Sequence, residues 1–161
     1  MADIKSKYGA SGQSLTITLN ALADDAKRES TAVDNATNCF LDAFVQVKIA
    51  TNTSADSTGD QCVYVYAYGT TDGGTSYSGN AAGSDGAFGA DPQQLNNCRL
   101  IGVIHAPTQN KIYESDAMSV ASAFGGILPQ RWGIIVHNKT GQTLKAGDCS
   151  AFYQGLYAQS S

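Results

Sequence analysis

Two histidines are the side chains best suited to acid–base or metal chemistry, and each ends an apolar run. His105 follows Leu100–Ile104, and His137 follows Trp132–Val136. Neither is accompanied by a metal-ligand spacing, and the G-x-S-x-G sequence of many serine hydrolases is absent. A Ser-His-Asp arrangement stays open, because serine and aspartate are abundant, but abundance says nothing about geometry. We therefore interpret both histidines as strand-end residues and predict no catalytic residue and no enzymatic activity.

The thiols and the loop carboxylates give equally little support for a metal site. The four cysteines are widely spaced and form no C-x-x-C pair, so we expect reduced thiols, with a disulfide left open: Cys39, Cys62, Cys98 and Cys149. A set of oxygen-bearing residues lies in one loop without the spacing of an EF-hand: Asp72, Asn80, Asp85 and Asp91. The sequence predicts that the protein binds no metal and no organic cofactor.

The charge pattern argues against nucleic-acid and membrane partners. The chain of 161 residues has a net charge of -4, and only 15% of its residues are charged. The nearest approach to a basic cluster, Lys27–Arg28, is surrounded by Asp24, Asp25 and Glu29. Such a surface cannot follow a phosphate backbone or an anionic lipid headgroup layer. No apolar run approaches the roughly 20 residues of a membrane helix, and the N-terminus lacks the apolar stretch of a secretory signal. We therefore expect a soluble protein made in the cytoplasm.

Alternating apolar and polar residues predict a fold made of short strands. The alternation is clear over 14–19, 41–49 and 63–68, and four weaker runs follow over 100–105, 118–124, 132–137 and 152–157. Turn-forming residues separate these runs, and no alternation of strands with helices is present. The sequence predicts an all-β, β-sandwich or jelly-roll-like single domain of about seven or eight strands over residues 14–161. The predicted core positions are Leu41, Val45, Val47, Val63, Val65, Ile134 and Val136.

The segment Thr70–Pro92 is rich in glycine, serine and aspartate and contains no strand pattern. Loops of this length are uncommon in compact domains and are usually functional or disordered. We predict one of these two roles for it.

A row of tyrosines is the strongest candidate for a binding surface. Tyr64, Tyr66 and Tyr68 alternate along one predicted strand, and Tyr77 lies just beyond it. Tyrosine is common on half-buried strands, is enriched in protein interfaces and also stacks on sugars. We favour a core or sheet-surface role for the row, with a protein interface as the second interpretation and sugar binding as the third, and all four tyrosines are our candidate interface residues.

Residues 1–13 precede the first clear strand and are predicted to form an N-terminal arm. The segment is small, polar and glycine-containing, and its candidate contact residues are Ile4, Lys5, Lys7 and Tyr8. Such a segment is held weakly by its own domain and can become ordered on a neighbouring molecule.

Several stretches of the chain resemble a group of small virion proteins of tailed bacteriophages. They are MADIKSKYG at the start, LTITLNALA, RESTAVDNATNCFLDAFVQVKI, and SVASAFGGILPQRWGIIVHNKTGQTL over 119–144. The resemblance covers most of the chain and thins out over 52–60 and 70–92. It implies a structural part of the particle and no active-site residues.

The expected function is therefore a non-enzymatic capsid decoration (cement) or auxiliary head protein that forms a homo-oligomer and binds the major capsid protein or another virion protein. A tail or neck component and a carbohydrate- or receptor-binding β-sandwich module are the alternatives. Copy number, symmetry and host stay open.

Overall fold

The computed structural model describes residues 3–53, 60–89 and 91–160, and over these ranges the fold is a β-sandwich. Twelve strands form two antiparallel six-stranded sheets. The helical segments are three short 3-10 turns: Ser78–Asn80, Pro92–Asn97 and Ala121–Phe124. None of the described helices is long and apolar enough to cross a membrane. The predicted all-β sandwich is confirmed.

The first sheet, sheet A, is built around the two long strands that pair at its centre. Across it lie β1 (Ile4–Tyr8), β12 (Ser150–Ser160), β5 (Asp42–Ala50) and β10 (Met118–Ser119), while β2 (Gln13–Ser14) also pairs with β12 and β9 (Ile112–Glu114) with β5.

The second sheet, sheet B, is built around the pairing of two nine-residue strands. Across it lie β7 (Gly86–Ala87), β3 (Lys27–Glu29), β11 (Arg131–Lys139), β6 (Cys62–Thr70) and β8 (Arg99–His105), while β4 (Val33–Asp34) also pairs with β11. The strand count exceeds the predicted seven or eight because six strands have only two or three residues, which is too short to show alternation.

The core lies between the inner faces of the two sheets, where the alternating residues of β5, β6 and β11 meet. Six of the seven predicted core residues are fully buried, and the buried Trp132 packs edge-on against Tyr153 at 5.4 Å between ring centroids. Leu41 is the wrong prediction, with 44% of its surface exposed. It lies before the first residue of β5, so the alternation of the strand no longer sets its direction. Its backbone N–H still donates to the carbonyl of Leu156 at 2.7 Å.

Two predicted strands are shorter in the structure than their alternation suggests. Over 14–19 the inward residues Leu15 and Leu19 are buried, but only the end of β2 is paired there. Over 118–124 the chain leaves β10 after two residues and enters a 3-10 turn. The hydrophobic pattern predicted burial correctly in the first segment, whereas ladder pairing depends on which strand lies beside it.

The predicted N-terminal arm is not detached from the domain. Residues 4–8 pair antiparallel with β12, from Ile4 opposite Ser160 to Tyr8 opposite Leu156. The reason is that β12 is eleven residues long and pairs with β5 along one edge only, so its other edge is available to β1 and, nearer its start, to β2. All five residues of β1 are nevertheless exposed. Met1 and Ala2 lie outside the described residues.

The long loop 70–92 folds back onto the outer face of sheet B, apart from residue 90, which lies outside the described residues. It helps to build a small second core: Tyr68, Ala81, Phe88, Leu95, Cys98 and Ile135. The loop therefore acts as a cover for one end of the sheet.

Candidate functional site

The row of tyrosines on β6 is divided by the loop into a buried end and an open end. Tyr68 is fully buried, and its hydroxyl donates a 2.6 Å hydrogen bond to the carbonyl oxygen of Ser30. Tyr77 packs edge-on against Tyr68 with ring centroids 5.5 Å apart. Burial raises the pKa of Tyr68 because the low-dielectric surroundings disfavour the phenolate. Tyr68 therefore takes the core role that was the alternative to an interface, whereas Tyr77 is half-buried against the second core and its interface role stays a prediction.

Two carboxylates hold the covering loop in place. Glu29 of β3 is buried and accepts hydrogen bonds from the backbone N–H groups of Ala82, at 2.8 Å, and Gly83, at 3.3 Å. Burial raises the pKa of Glu29, and the two backbone hydrogen bonds oppose that rise. Asp85 accepts hydrogen bonds from Arg28 Nε at 2.6 Å and Thr18 Oγ1 at 2.5 Å. The hydrogen bond from Arg28 is the main cause that lowers the pKa of Asp85 to about 2.

The open end of the row forms what we call the tyrosine patch: Tyr64, Tyr66, Leu100 and Val103. In the register of β6 and β8, Tyr64 lies opposite Val103 and Tyr66 opposite Leu100, on the outer face of sheet B. Leu100 is 51% and Val103 47% exposed, and the two tyrosines are half-buried. β8 is the last strand on this side of the sheet. The patch is thus an apolar surface at a sheet edge, and half of the predicted tyrosine row contributes to it.

A charged cluster lies beside the tyrosine patch. His137 Nε2 is 2.9 Å from Asp25 Oδ1, and Lys139 Nζ is 3.3 Å from the same oxygen. The ring of His137 lies 6.4 Å from that of Tyr64. Burial lowers the pKa of His137 although Asp25 opposes the change, and the hydrogen bond from His137 is the main cause that lowers the pKa of Asp25. His105 ends β8 on the surface, so the structure does not bring the two histidines into one described cluster.

The acidic residues of the loop have separate local roles. Asp72 accepts hydrogen bonds from the hydroxyls of Thr70 and Ser76 and from the backbone of its own turn, which lower its pKa. Asp91 accepts from the N–H of Gln93 at 2.9 Å and so caps a 3-10 turn. Within residues 3–53, 60–89 and 91–160, no group of three or more histidine, cysteine, aspartate or glutamate side chains is arranged to hold a metal ion.

The four cysteines are free thiols in this structure. Cys98 is buried in the second core, and burial raises the pKa of its thiol to about 11. Burial also raises the pKa of Cys149 and of Cys62. Because the thiolate is the reactive form, these three thiols are poor nucleophiles at neutral pH.

The N-terminal residues singled out in the sequence lie on both faces of β1. Lys7 Nζ is 5.8 Å from the ring centroid of Tyr157, a cation–π distance. Lys5 borders a shallow depression between β1 and the end of β12. Ile4 is 80% exposed, and Tyr8 lies 6.3 Å from the ring of Phe44. The predicted arm residues are thus split between two neighbourhoods.

The contact between Tyr8 and Phe44 belongs to an aromatic groove that the sequence analysis missed. The groove lies on the outer face of sheet A, has a volume of about 450 Å³, and is lined by aromatic and amide residues: Tyr8, Phe44, Gln46, Phe152, Tyr153 and Gln154, together with Ser11, Gly12 and Ala117. A phenylalanine at an outward position of β5 was the available signal. Its partners on β12 and β1 come from the two ends of the chain, so only folding brings them together.

No protein-family model matches the chain, and no curated protein matches it. The geometry of the described residues gives two candidate surfaces, the tyrosine patch on the outer face of sheet B and the aromatic groove on the outer face of sheet A.

Proposed function

We propose that this protein is a non-enzymatic structural component of a bacteriophage particle, a capsid decoration or auxiliary head protein that binds the major capsid lattice. The resemblance of most of the chain to small virion proteins of tailed phages supports this role. The observation that carries the proposal is the tyrosine patch, because docking on a lattice requires an exposed apolar surface of this kind.

The tyrosine patch has the chemistry of a protein-docking surface. Leu100 and Val103 present apolar side chains beside the rings of Tyr64 and Tyr66. Tyrosine is enriched in interface cores, where charged residues are depleted. Between its ends β8 carries only uncharged residues, so the patch can be covered without burying an unpaired charge.

The same surface suits association between copies. β8 ends sheet B, and an edge strand without lysine or proline in its middle is a template for a further strand. With only 15% of residues charged, little like-charge repulsion opposes close packing. A homo-oligomer or a strand donated by the lattice protein would both use this edge.

The experiment measures attachment to particles of the phage that encodes the protein. The Val103→Lys variant introduces a charge into the patch, and Ile112→Lys, at a residue that is 51% exposed on β9, is the matched control on the other sheet. Both residues are exposed, so both variants should fold, which circular dichroism checks. We expect cryo-electron microscopy to find many copies over the shell, and we expect Val103→Lys alone to reduce their number.

Three results would change the proposal. A few copies at one vertex would favour a tail or neck component. Full attachment of Val103→Lys would exclude the tyrosine patch as the contact. Absence of the protein from purified particles would contradict a virion role.

A further inference from the structure

In the aromatic groove on sheet A, aromatic rings and amides alternate both along each strand and across the strand pair. In the pairing of β5 with β12, Phe44 lies opposite Gln154, and Gln46 lies opposite Phe152. Tyr8 lies against Phe44 at one end, with ring centroids 6.3 Å apart. Two apolar surfaces and two amides therefore alternate at the spacing of neighbouring strands, about 5 Å.

Hydrogen bonds to the backbone hold the two amides in position. Gln154 Nε2 donates to the carbonyl oxygen of Gly9 at 3.0 Å, and Gln46 Nε2 donates to that of Ser115 at 3.3 Å. A carboxamide has two N–H donors and an oxygen acceptor, so each amide retains groups that can bind a hydroxyl as both donor and acceptor. The groove thus presents oriented polar groups on a rigid sheet, which lowers the ordering cost of binding.

The charge and size of the groove restrict its ligand. None of its nine lining residues is charged, so an anionic or cationic ligand would lose hydration without gaining a counter-charge. Nine residues are also fewer than the 20–30 that a protein contributes to an interface of ordinary size. The volume of about 450 Å³ lies within the range of roughly 300–1,000 Å³ found for small-molecule sites.

We propose that the aromatic groove binds a neutral saccharide. The C–H face of a pyranose ring is apolar and would pack on Phe44 or Phe152, while its equatorial hydroxyls would pair with Gln46 and Gln154. Tyr8 is 59% and Phe152 42% exposed, so a saccharide has open access to both rings. This site is separate from the tyrosine patch and does not depend on a role in the virion.

The test begins with the full chain on an array that contains neutral, sialylated and sulfated oligosaccharides. The best neutral glycan is then titrated into the protein and followed by NMR, which detects weak binding. We expect saturable binding to neutral glycans that Phe152→Ala weakens at least about tenfold, a loss of about 1.4 kcal/mol. Leu100→Ala in the tyrosine patch is the control and should bind like the wild type.

The proposal is overturned if the array shows no neutral glycan binding, if only charged glycans bind, or if Phe152→Ala binds as well as the wild type. A glycan-independent dimer that Phe152→Ala dissociates would assign the groove to a second copy instead. Gln154→Ala is a second variant. A loss of glycan affinity similar to that of Phe152→Ala would show that the amide also contacts the saccharide. The attachment of the Phe152→Ala variant to phage particles is measured as well. Because the virion role rests on the tyrosine patch, this variant should attach normally whether or not the groove binds a saccharide.

Discussion

The hydroxyl of Tyr68 lies 2.6 Å from the carbonyl oxygen of Ser30, to which it donates a buried hydrogen bond. Ser30 in turn accepts the N–H of Ile134 on its Oγ at 3.0 Å. The third tyrosine of β6 is thereby tied to β11, which pairs with β6, and to the residue that follows β3 on the far side of β11. This contact separates it from the tyrosine patch.

Removing the Tyr68 hydroxyl should therefore destabilise the fold. The Tyr68→Phe variant leaves a buried carbonyl without this donor, and we expect the free energy of unfolding to fall by about 1–3 kcal/mol. Tyr64→Phe is the control, since the Tyr64 hydroxyl is 3.4 Å from Asp60 on the surface, and it should change stability by less than about 0.5 kcal/mol. Urea denaturation measures both. Equal stabilities would mean that Tyr68 is not anchored as described.

Gly133 provides the space that Tyr68 occupies. The two residues are directly opposite in the β6–β11 ladder, and a methyl group on Gly133 would overlap the tyrosine ring. We expect Gly133→Ala to lower the free energy of unfolding by about 1–3 kcal/mol through overpacking. Gly147→Ala is the control, because no described heavy atom lies within 4 Å of its added methyl group. Thermal unfolding that ranks the two variants in the opposite order would contradict this packing.

Truncation of apolar residues to alanine should cost more stability at buried core positions than at an exposed position at the edge of the core. Val47 and Ile134 are fully buried, and we expect Val47→Ala and Ile134→Ala each to cost about 1–4 kcal/mol. Leu41 is 44% exposed, so Leu41→Ala should cost less than either. Chemical denaturation of the three variants makes the comparison. A cost for Leu41→Ala as large as that for Ile134→Ala would show that the start of β5 is buried after all.

The buried Glu29 should make stability depend on pH. Burial raises its pKa in the folded state above the unfolded value of about 4.3, so the folded state binds the proton more tightly. The contribution of this group to stability is therefore present at low pH and is lost as the pH rises from about 4.3 through the folded pKa. We expect Glu29→Gln to gain stability relative to the wild type over that rise.

Unfolding free energies at pH 4 and pH 8 test this sign. The amide oxygen of Glu29→Gln can still accept the N–H of Ala82, whereas Glu29→Ala cannot and should be less stable than Glu29→Gln at both pH values. If the free energy of unfolding of Glu29→Gln relative to the wild type stayed constant or fell between pH 4 and pH 8, the raised pKa would be contradicted.

The local sequence pattern predicted the outward direction of the tyrosines on β6, but it did not predict which of them stay exposed. The alternation of β6 placed Tyr64 and Tyr66 on the outer face of a sheet, where they lie. The same alternation placed Tyr68 there, and the outward direction was right. It is buried because the second core, built in part by the loop after it, covers that end of the sheet.

The sequence by itself determined the all-β class and the inward residues of the long strands, because both follow from a two-residue period that each strand carries locally. Only the tertiary structure decided that Ile4–Tyr8 is an edge strand, that loop 70–92 covers Tyr68, and that Phe44 lies beside Tyr8 and opposite Gln154. The strand relationships join residues that lie more than 35 positions apart in the chain. The loop is likewise held by distant residues, as in the hydrogen bond from Thr18 to Asp85. No local period encodes such contacts, since they depend on which strands pair and in which register.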